Sequence, residues 1–420
     1  MKQIALISTS RSGQPFGLVA LASWVNSRKI GWTASVIDAA REDPVAAAGE
    51  GFDVIGISAM SATYEYAIRI AKQARPSRAP VILGGVHIST CPESIHPVFD
   101  RVFCGEGERT LVSWLCGCSF TNSHVDLWEY PDIDFSLFHA DCWKPKMQRH
   151  WRGVVVEGSL VTSRGCPYNC RFCSTSSFWK SYRTHTPEWT VRQMQAMAER
   201  GVNRIAVWDD LFAVNKHRLR RIAELFESAG LQRTILGMSV NARADCIDGE
   251  TCDILRSMNV SFVGFGLESG SERVLRYLKK GRASVKANDD ALATVNKHGM
   301  MAGGSVMLGN PTETFREMLM TVAWVALCVL RGVDDIIPFV ATPYPGTKFW
   351  TIAKAKGRVG ERMNFDLLAQ RSRAIGEAHM LDIPRWQFAI AWWLLQIVLI
   401  PIRAKKLIQM TLSKMTLCNT

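Results

Sequence analysis

Three cysteines, Cys166, Cys170 and Cys173, stand at spacing C-x3-C-x2-C within SRGCPYNCRFCSTSSFW, residues 163–179. Thiolates are soft donors that suit zinc or iron–sulfur clusters. A structural zinc site wants four protein ligands. Here the run stops at three, with His185 the nearest further candidate. Three thiolates on a four-iron cluster leave one iron open to a small molecule. A loop that does this chemistry has to sit at the end of a strand, where a ligand can reach it.

The elements around the loop supply such an end. From residue 159 onward, strand-like runs at 160–163, 204–208, 234–240, 261–265, 303–307 and 335–340 alternate with helix-like runs at 187–200, 216–229, 249–258, 271–277, 285–298 and 313–330. Six βα units predict a partial (β/α)6 barrel with its chemistry at the carboxyl ends of the strands. The first 120 residues alternate in the same way: strands at 4–8, 34–38, 54–58, 81–84 and 101–104, helices at 15–28, 63–74 and 92–98. That pattern predicts an α/β, Rossmann-like parallel sheet, whose ligands bind at the carboxyl ends. Small and polar residues gather at those ends: Ser8 to Gly13, Ser58 to Ser61, Gly84 to His87, and Gly105 to Glu108. The expected division is 1–120 for the first domain, 121–158 for a linker, 159–353 for the barrel and 354–420 for a helical tail.

Bulk composition is that of a globular chain. It has 420 residues, 47% hydrophobic and 21% charged, with a formal net charge of +12. The opening MKQIALISTS reads as a first strand and not as a secretory signal. The expected location is therefore the cytosol, where the twelve cysteines stay reduced or bind metal. Basic residues cluster at Arg218–Arg221, Lys279–Arg282 and Arg403–Lys406, with no interleaved aromatics, so nucleic acid is not an expected partner. In the tail, Arg385 is followed by WQFAIAWWLLQIVLIPI and then Arg403, Lys405 and Lys406. That run lies at the short edge of what crosses a bilayer. Trp386, Trp392 and Trp393 beside a basic flank favour a buried or interfacial helix over a span.

The cysteine spacing, after a strand and at the head of six βα units, resembles the radical S-adenosylmethionine superfamily. Further segments extend the likeness: VWDDLFAVN (207–215), FGLESGSERVL (265–275), GGSVMLGNPTET (303–314) and ATPYPGTKFW (341–350). Thr312 stands where the family usually has Gly. The first-domain segments PFGLVALASWV, GISAMSATYEYA, ILGGVHIS and GEGERT resemble the cobalamin-binding half of the cobalamin-dependent members. With the barrel, the resemblance covers about residues 1–360. No D-x-H-x-x-G occurs, so no histidine of that motif is expected on the cobalt.

The resemblance implies a [4Fe–4S] cluster on Cys166, Cys170 and Cys173 that cleaves S-adenosylmethionine to a 5′-deoxyadenosyl radical. It implies S-adenosylmethionine contacts from Phe172, Asp209, Glu268, Ser269 and Met307. Corrinoid contacts are expected from Ser58, Gly84, Gly85, His87, Gly105 and Glu106. The implied reaction is cobalamin-dependent methylation or rearrangement at an unactivated carbon. A cobalamin-independent oxidoreductase or cyclase is the alternative, and a non-catalytic iron–sulfur or cobalamin-binding regulator is the reading from another class. The implied partners are a lipid-like or tetrapyrrole small molecule, an electron donor such as flavodoxin or ferredoxin, and a membrane met peripherally on its inner face.

Overall fold

A computed structural model describes residues 1–10, 13–48, 51–119, 124–147, 154–279, 283–369, 380, 382–405 and 407–408. Parts of several expected features lie outside the described residues: the Ser8–Gly13 strand end at 11–12, the first domain's last residue 120, the linker at 121–123 and 148–153, the basic clusters at 280–282 and 406, and the tail at 370–379, 381 and 409–420.

The first sheet holds β1 (Lys2–Ser8), β2 (Trp32–Asp38), β3 (Val54–Ser58), β4 (Val81–Gly84) and β5 (Arg101–Val102), in the order β2-β1-β3-β4-β5. Each neighbouring pair is parallel, for example Ile4 opposite Val54 and Ile55 opposite Val81. Ile4, Ala5, Leu6 and Ile7 are all buried. Such an unbroken apolar run is what a parallel strand covered on both faces requires. Its main helices are α1 (Phe16–Ser27), α2 (Tyr64–Ala74), α3 (Val86–Thr90) and α4 (Gly107–Leu115). The helix expected at 92–98 is instead α3, directly after β4, with only a single 3-10 turn at Pro92–Ser94. Proline lacks the N–H that would carry a helix through residue 92. The α4 helix is an addition to the expected elements.

The second sheet holds β6 (Glu157–Leu160), β7 (Arg204–Val207), β8 (Gly237–Ala242), β9 (Val260–Glu268), β10 (Met301–Leu308) and β11 (Asp335–Val340). They lie in simple sequence order, all pairs parallel. Between and after them run α5 (Pro187–Ala198), α6 (Lys216–Ser228), α7 (Gly249–Ser257), α8 (Glu272–Leu278), α9 (Val285–Lys297), α10 (Phe315–Leu330) and, in the tail, α11 (Arg385–Val398). Strand β6 runs from 157 to 160, not 160 to 163; Ser163–Arg164 forms a separate two-residue strand outside the six-stranded sheet.

By packing, one unit comprises Met1–Cys142, Cys173–Trp189 and Pro343–Ala369; the other comprises Trp143–Phe172, Thr190–Thr342 and Gln370–Thr420. In the second unit α11 packs on α10, and its Phe388, Ala391 and Leu395 are buried. Among the described residues no helix is long and apolar enough to cross a membrane.

Candidate active site

The cysteine loop leaves β6 through a carboxylate clasp. Asp209, fully buried at the end of β7, accepts at Oδ1 from the Thr162 and Ser163 amides (2.5 and 3.1 Å). At Oδ2 it accepts from the Thr162 and Ser163 hydroxyls (2.6 and 2.7 Å). Burial pushes the Asp209 carboxyl up, while these donors and the Arg218 guanidinium pull it down. Arg218, from α6, donates to the Thr162 carbonyl (3.1 Å) and hydroxyl (3.0 Å). A buried carboxylate with this many donors is a rigid joint, since each bond forgone would leave a buried donor unpaired. Asp209, expected to touch a ligand, thus spends both carboxylate oxygens on the strand that leads to Cys166. Thr162, Ser163 and Arg218 escaped sequence reasoning; two adjacent hydroxyl residues just ahead of the loop were the available signal.

Beyond the clasp, Gly165 turns at φ +84 and the loop is held again at its middle. The Arg243 guanidinium lies 3.9 Å from the Tyr168 ring centroid, a cation–π contact, and the Tyr168 hydroxyl is 3.5 Å from Cys246 Sγ. The Arg171 amide donates to the Leu278 carbonyl (3.0 Å), and its guanidinium lies over the Tyr277 ring (4.6 Å). Cys166, Cys170, Phe172 and Cys173 are half-buried. Among the described residues no three His, Cys, Asp or Glu side chains converge on a single-ion position. A four-iron cluster does not call for one, because each thiolate takes a different iron. The donor set, three soft thiolates on one anchored loop, fits that cluster.

The other barrel strand ends carry strained backbone and buried charge. Glu268 closes β9 at φ +64, a left-handed conformation that non-glycine residues keep only where their surroundings enforce it. Its carboxylate faces Lys279 Nζ at 3.6 Å, both side chains buried, and Lys279 also donates to the Gly266 carbonyl. Burial pushes the Glu268 carboxyl up and Lys279 draws it down. Ser269, fully buried, has its Oγ 3.0 Å from Thr321 Oγ1 and accepts from the Ser271 amide. Met307 is buried within β10. After β10, Glu313 Oε2 accepts from the Gly309 and Asn310 amides (2.8 and 2.9 Å), and burial pushes its carboxyl up to about 7. Thr312 sits at φ +63, which accounts for the glycine usual in this segment. Here Arg273 holds the threonine, donating to its carbonyl (2.7 Å) and hydroxyl (3.3 Å).

In the first unit the strand ends present backbone. Gly85 has φ +99, and a Cβ there would lie 2.7 Å from the Ala59 carbonyl oxygen and 2.9 Å from Ser58 Oγ. The ends of β3 and β4 are thus pressed together with only glycine between them. Ser58, Gly84, Gly85 and Gly105 are half-buried, so three neighbouring strand ends offer small residues and accessible main chain. That is a cradle a flat macrocycle can approach closely, and it fits a corrinoid.

Two residues expected on that cradle are committed elsewhere. His87 is fully buried in α3, its Nδ1 3.1 Å from Ser61 Oγ and its Nε2 2.9 Å from Ser94 Oγ. Its ring packs on Tyr64 (4.0 Å) and Phe365 (4.4 Å), and burial lowers its pKa to about 4. No ring nitrogen is left for a ligand. Glu106, also buried, pairs with Arg183 and His124 and accepts from the Val125 amide.

The chain resembles known proteins in both halves. The profile of the Radical SAM superfamily matches residues 160–325, and that of the B12 binding domain matches residues 3–115. An uncharacterized methyltransferase of Pyrococcus horikoshii is 30% identical over 384 residues, 82% of this chain and 79% of that protein. The bacteriochlorophyllide d C-8(2)-methyltransferase of Chlorobaculum tepidum is 25% identical over 323 residues, 73% of this chain and 70% of that one. The anaerobic magnesium-protoporphyrin IX monomethyl ester cyclase of Cereibacter sphaeroides is 21% identical over 368 residues, 79% of this chain and 58% of that one. Among solved structures, the radical S-adenosylmethionine methyltransferase TsrM of Kitasatospora setae, with cobalamin and [4Fe–4S] cluster bound, superposes with a TM-score of 0.66 at 16% identity, covering 86% of this chain and 79% of that one. The cobalamin-dependent S-adenosylmethionine radical enzyme OxsB gives 0.64 at 17% identity, covering 78% and 52%. At these identities the two structures speak for the fold.

Proposed function

Since this chain belongs to the radical S-adenosylmethionine superfamily and carries a B12 binding domain ahead of the barrel, we propose that it transfers a methyl group to an unactivated carbon of a tetrapyrrole or lipid-like substrate. It is a radical S-adenosylmethionine enzyme whose cofactors are a [4Fe–4S] cluster, S-adenosylmethionine and cobalamin. The observation that carries the proposal is the pairing of an anchored three-cysteine loop with a glycine-lined, strand-end cradle in one chain.

Bound here, the cluster and S-adenosylmethionine supply hydrogen abstraction, and the corrinoid supplies the methyl group; the protein contributes holding, orientation and exclusion of water. Cys166, Cys170 and Cys173 hold the cluster. Asp209, through Thr162 and Ser163, fixes where the loop departs, and Arg243 on Tyr168 fixes its middle. Phe172, Glu268, Ser269 and Met307 are assigned to the S-adenosylmethionine side. Of these Glu268 is a charge already paired with Lys279, suited to receiving ammonium or hydroxyl donors at its remaining lone pairs. Ser58, Gly84, Gly85 and Gly105 are assigned to the corrinoid. By this division residues 1–120 serve cobalamin, 159–353 serve the cluster, 121–158 link them, and 354–420 form the tail. The substrate class rests on tetrapyrrole enzymes among the relatives and on the apolar tail. Flavodoxin or ferredoxin is the proposed electron donor, and the proposed location is the cytosol, peripheral to the inner face of a membrane.

The test is anaerobic reconstitution with iron, sulfide and hydroxocobalamin, followed by dithionite and methyl-deuterated S-adenosylmethionine. Labelled methyl in a product, with 5′-deoxyadenosine formed by the wild type and abolished in Cys166→Ala, is the expected result. Undiminished cleavage by Cys166→Ala refutes the cluster assignment. Product without label favours the cyclase or oxidoreductase alternative.

A further inference from the structure

The tail helix α11 has two apolar faces, and the fold covers only one. Phe388, Ala391, Leu395, Leu399 and Ile402 are buried. Opposite them Trp386 (60% exposed), Ile390, Trp393 (61%), Ile397 (57%) and Ile400 (56%) face outward. The spacing of Trp386, Ile390, Trp393 and Ile397, four, three and four residues, makes a single stripe along one side of α11, and Ile400 follows just past the cap at Leu399. Soluble surfaces scatter apolar side chains singly; a continuous stripe with two tryptophans marks a contact surface. After a turn at Leu399 the chain is helical again from residue 400 to 405, and Leu407 and Ile408 beyond it are also exposed.

Charge identifies the occupant. From Ile383 to Ile408 the chain contains no Asp or Glu. Arg385 lies at one end of the stripe and Arg403 at the other, both exposed; Lys405, also exposed, is already paired with Asp334 at 3.5 Å. A second copy docked face to face by two-fold symmetry would bring these cations to the same seam with no carboxylate from this segment to neutralise them. An anionic bilayer supplies both what the stripe lacks: hydrocarbon for the isoleucines and phosphate for the cations, with indole rings favoured at the boundary.

We propose that this stripe docks the protein, without spanning, on an anionic phospholipid surface. The inference deepens the peripheral location proposed above and is independent of the radical chemistry. Full-length reconstituted protein is sedimented with vesicles of phosphatidylcholine mixed with phosphatidylglycerol, and with vesicles of phosphatidylcholine alone. The wild type is expected to bind the mixed vesicles, to release with rising salt, and to bind the neutral ones weakly. The double variant Trp393→Glu, Ile397→Glu alters only exposed positions and is expected to lose about tenfold or more of that binding while cleaving S-adenosylmethionine as the wild type does. Equal vesicle binding by variant and wild type overturns the proposal, as does a wild type that sediments with neither vesicle. A wild-type dimer that the double variant turns into a monomer, by light scattering, assigns the stripe to a second copy instead. Vesicle binding by a wild type that forms no 5′-deoxyadenosine leaves the docking surface standing and removes the proposed chemistry.

Discussion

The carboxyl edges of the two sheets are built on opposite plans. At the first sheet, the residues nearest the strand ends are small, and the polar side chains beside them turn inward: His87 to Ser61 and Ser94, Glu106 to Arg183 and His124. What remains outward is main chain. At the second sheet the strand ends carry carboxylates, each spent on a neighbouring segment: Asp209 on Thr162 and Ser163, Glu268 on Lys279, Glu313 on the Gly309 and Asn310 amides. A large, preformed ligand needs room and close approach, which glycine allows. A loop that must present thiolates in register needs fixed joints, which buried charged hydrogen bonds give.

Breaking one joint and filling one gap separates the two plans. The largest effect is expected from Asp209→Asn. The amide nitrogen cannot accept, so two of four buried donors lose their partner, at a cost of about 2–4 kcal/mol. Slack in the loop is expected to lower S-adenosylmethionine cleavage about a hundredfold. Iron content and 5′-deoxyadenosine yield measure this, while cobalamin uptake, read by absorbance, stays as in the wild type. Retained cleavage with full iron content would show the clasp to be dispensable.

Gly85→Ala reverses the pattern. The new Cβ meets the Ala59 carbonyl at 2.7 Å in a left-handed backbone, for about 1–3 kcal/mol of strain. Cobalamin affinity is expected to fall about tenfold, with cluster assembly unaltered; loss of cluster and corrinoid together would argue against separate plans.

The smallest effect sharpens the second plan. Glu317 caps α10 through Thr314 and pairs with Arg273, which holds its carboxyl down at about 2 against an ordinary 4.5. A depressed carboxyl stabilises the fold above its unfolded pKa and loses that contribution as pH falls through the folded one. Because Arg273 is more than half exposed, the contribution is discounted to about 1 kcal/mol. Urea unfolding from neutral pH down towards pH 2 is expected to show this loss in the wild type and a flatter profile in Glu317→Gln.

Strand positions were legible where a short apolar run is bounded by small or polar residues: β3, β4 and β11 span the expected 54–58, 81–84 and 335–340. Legibility failed where side chains override the local pattern. Apolar and β-branched residues around Leu160 read as one strand through Ser163, yet the six-stranded sheet ends at Leu160, the Thr162 and Ser163 amides go to Asp209, and Ser163–Arg164 forms a separate short strand. The helix placed at 92–98 followed a plausible run, but Gly85 turns the chain into α3 earlier and Pro92 stops it. The cysteine loop was readable because its ligands are neighbours in the chain. The clasp was not, because Asp209 lies 46 and 47 residues from its partners.

From its residues alone this chain determined which donors it owns, their spacing, and the alternation of strands and helices behind them. Those properties are local: three thiolates within eight positions need no folding to be recognised as a set. Tertiary structure decided which polar groups stay available. A buried histidine or carboxylate must be satisfied by whatever segment the fold brings beside it, so His87 and Asp209 look like ligand residues in sequence and serve as internal joints in space. The same holds for the tail, where only packing on α10 separates the covered face of α11 from the stripe left open to its surroundings.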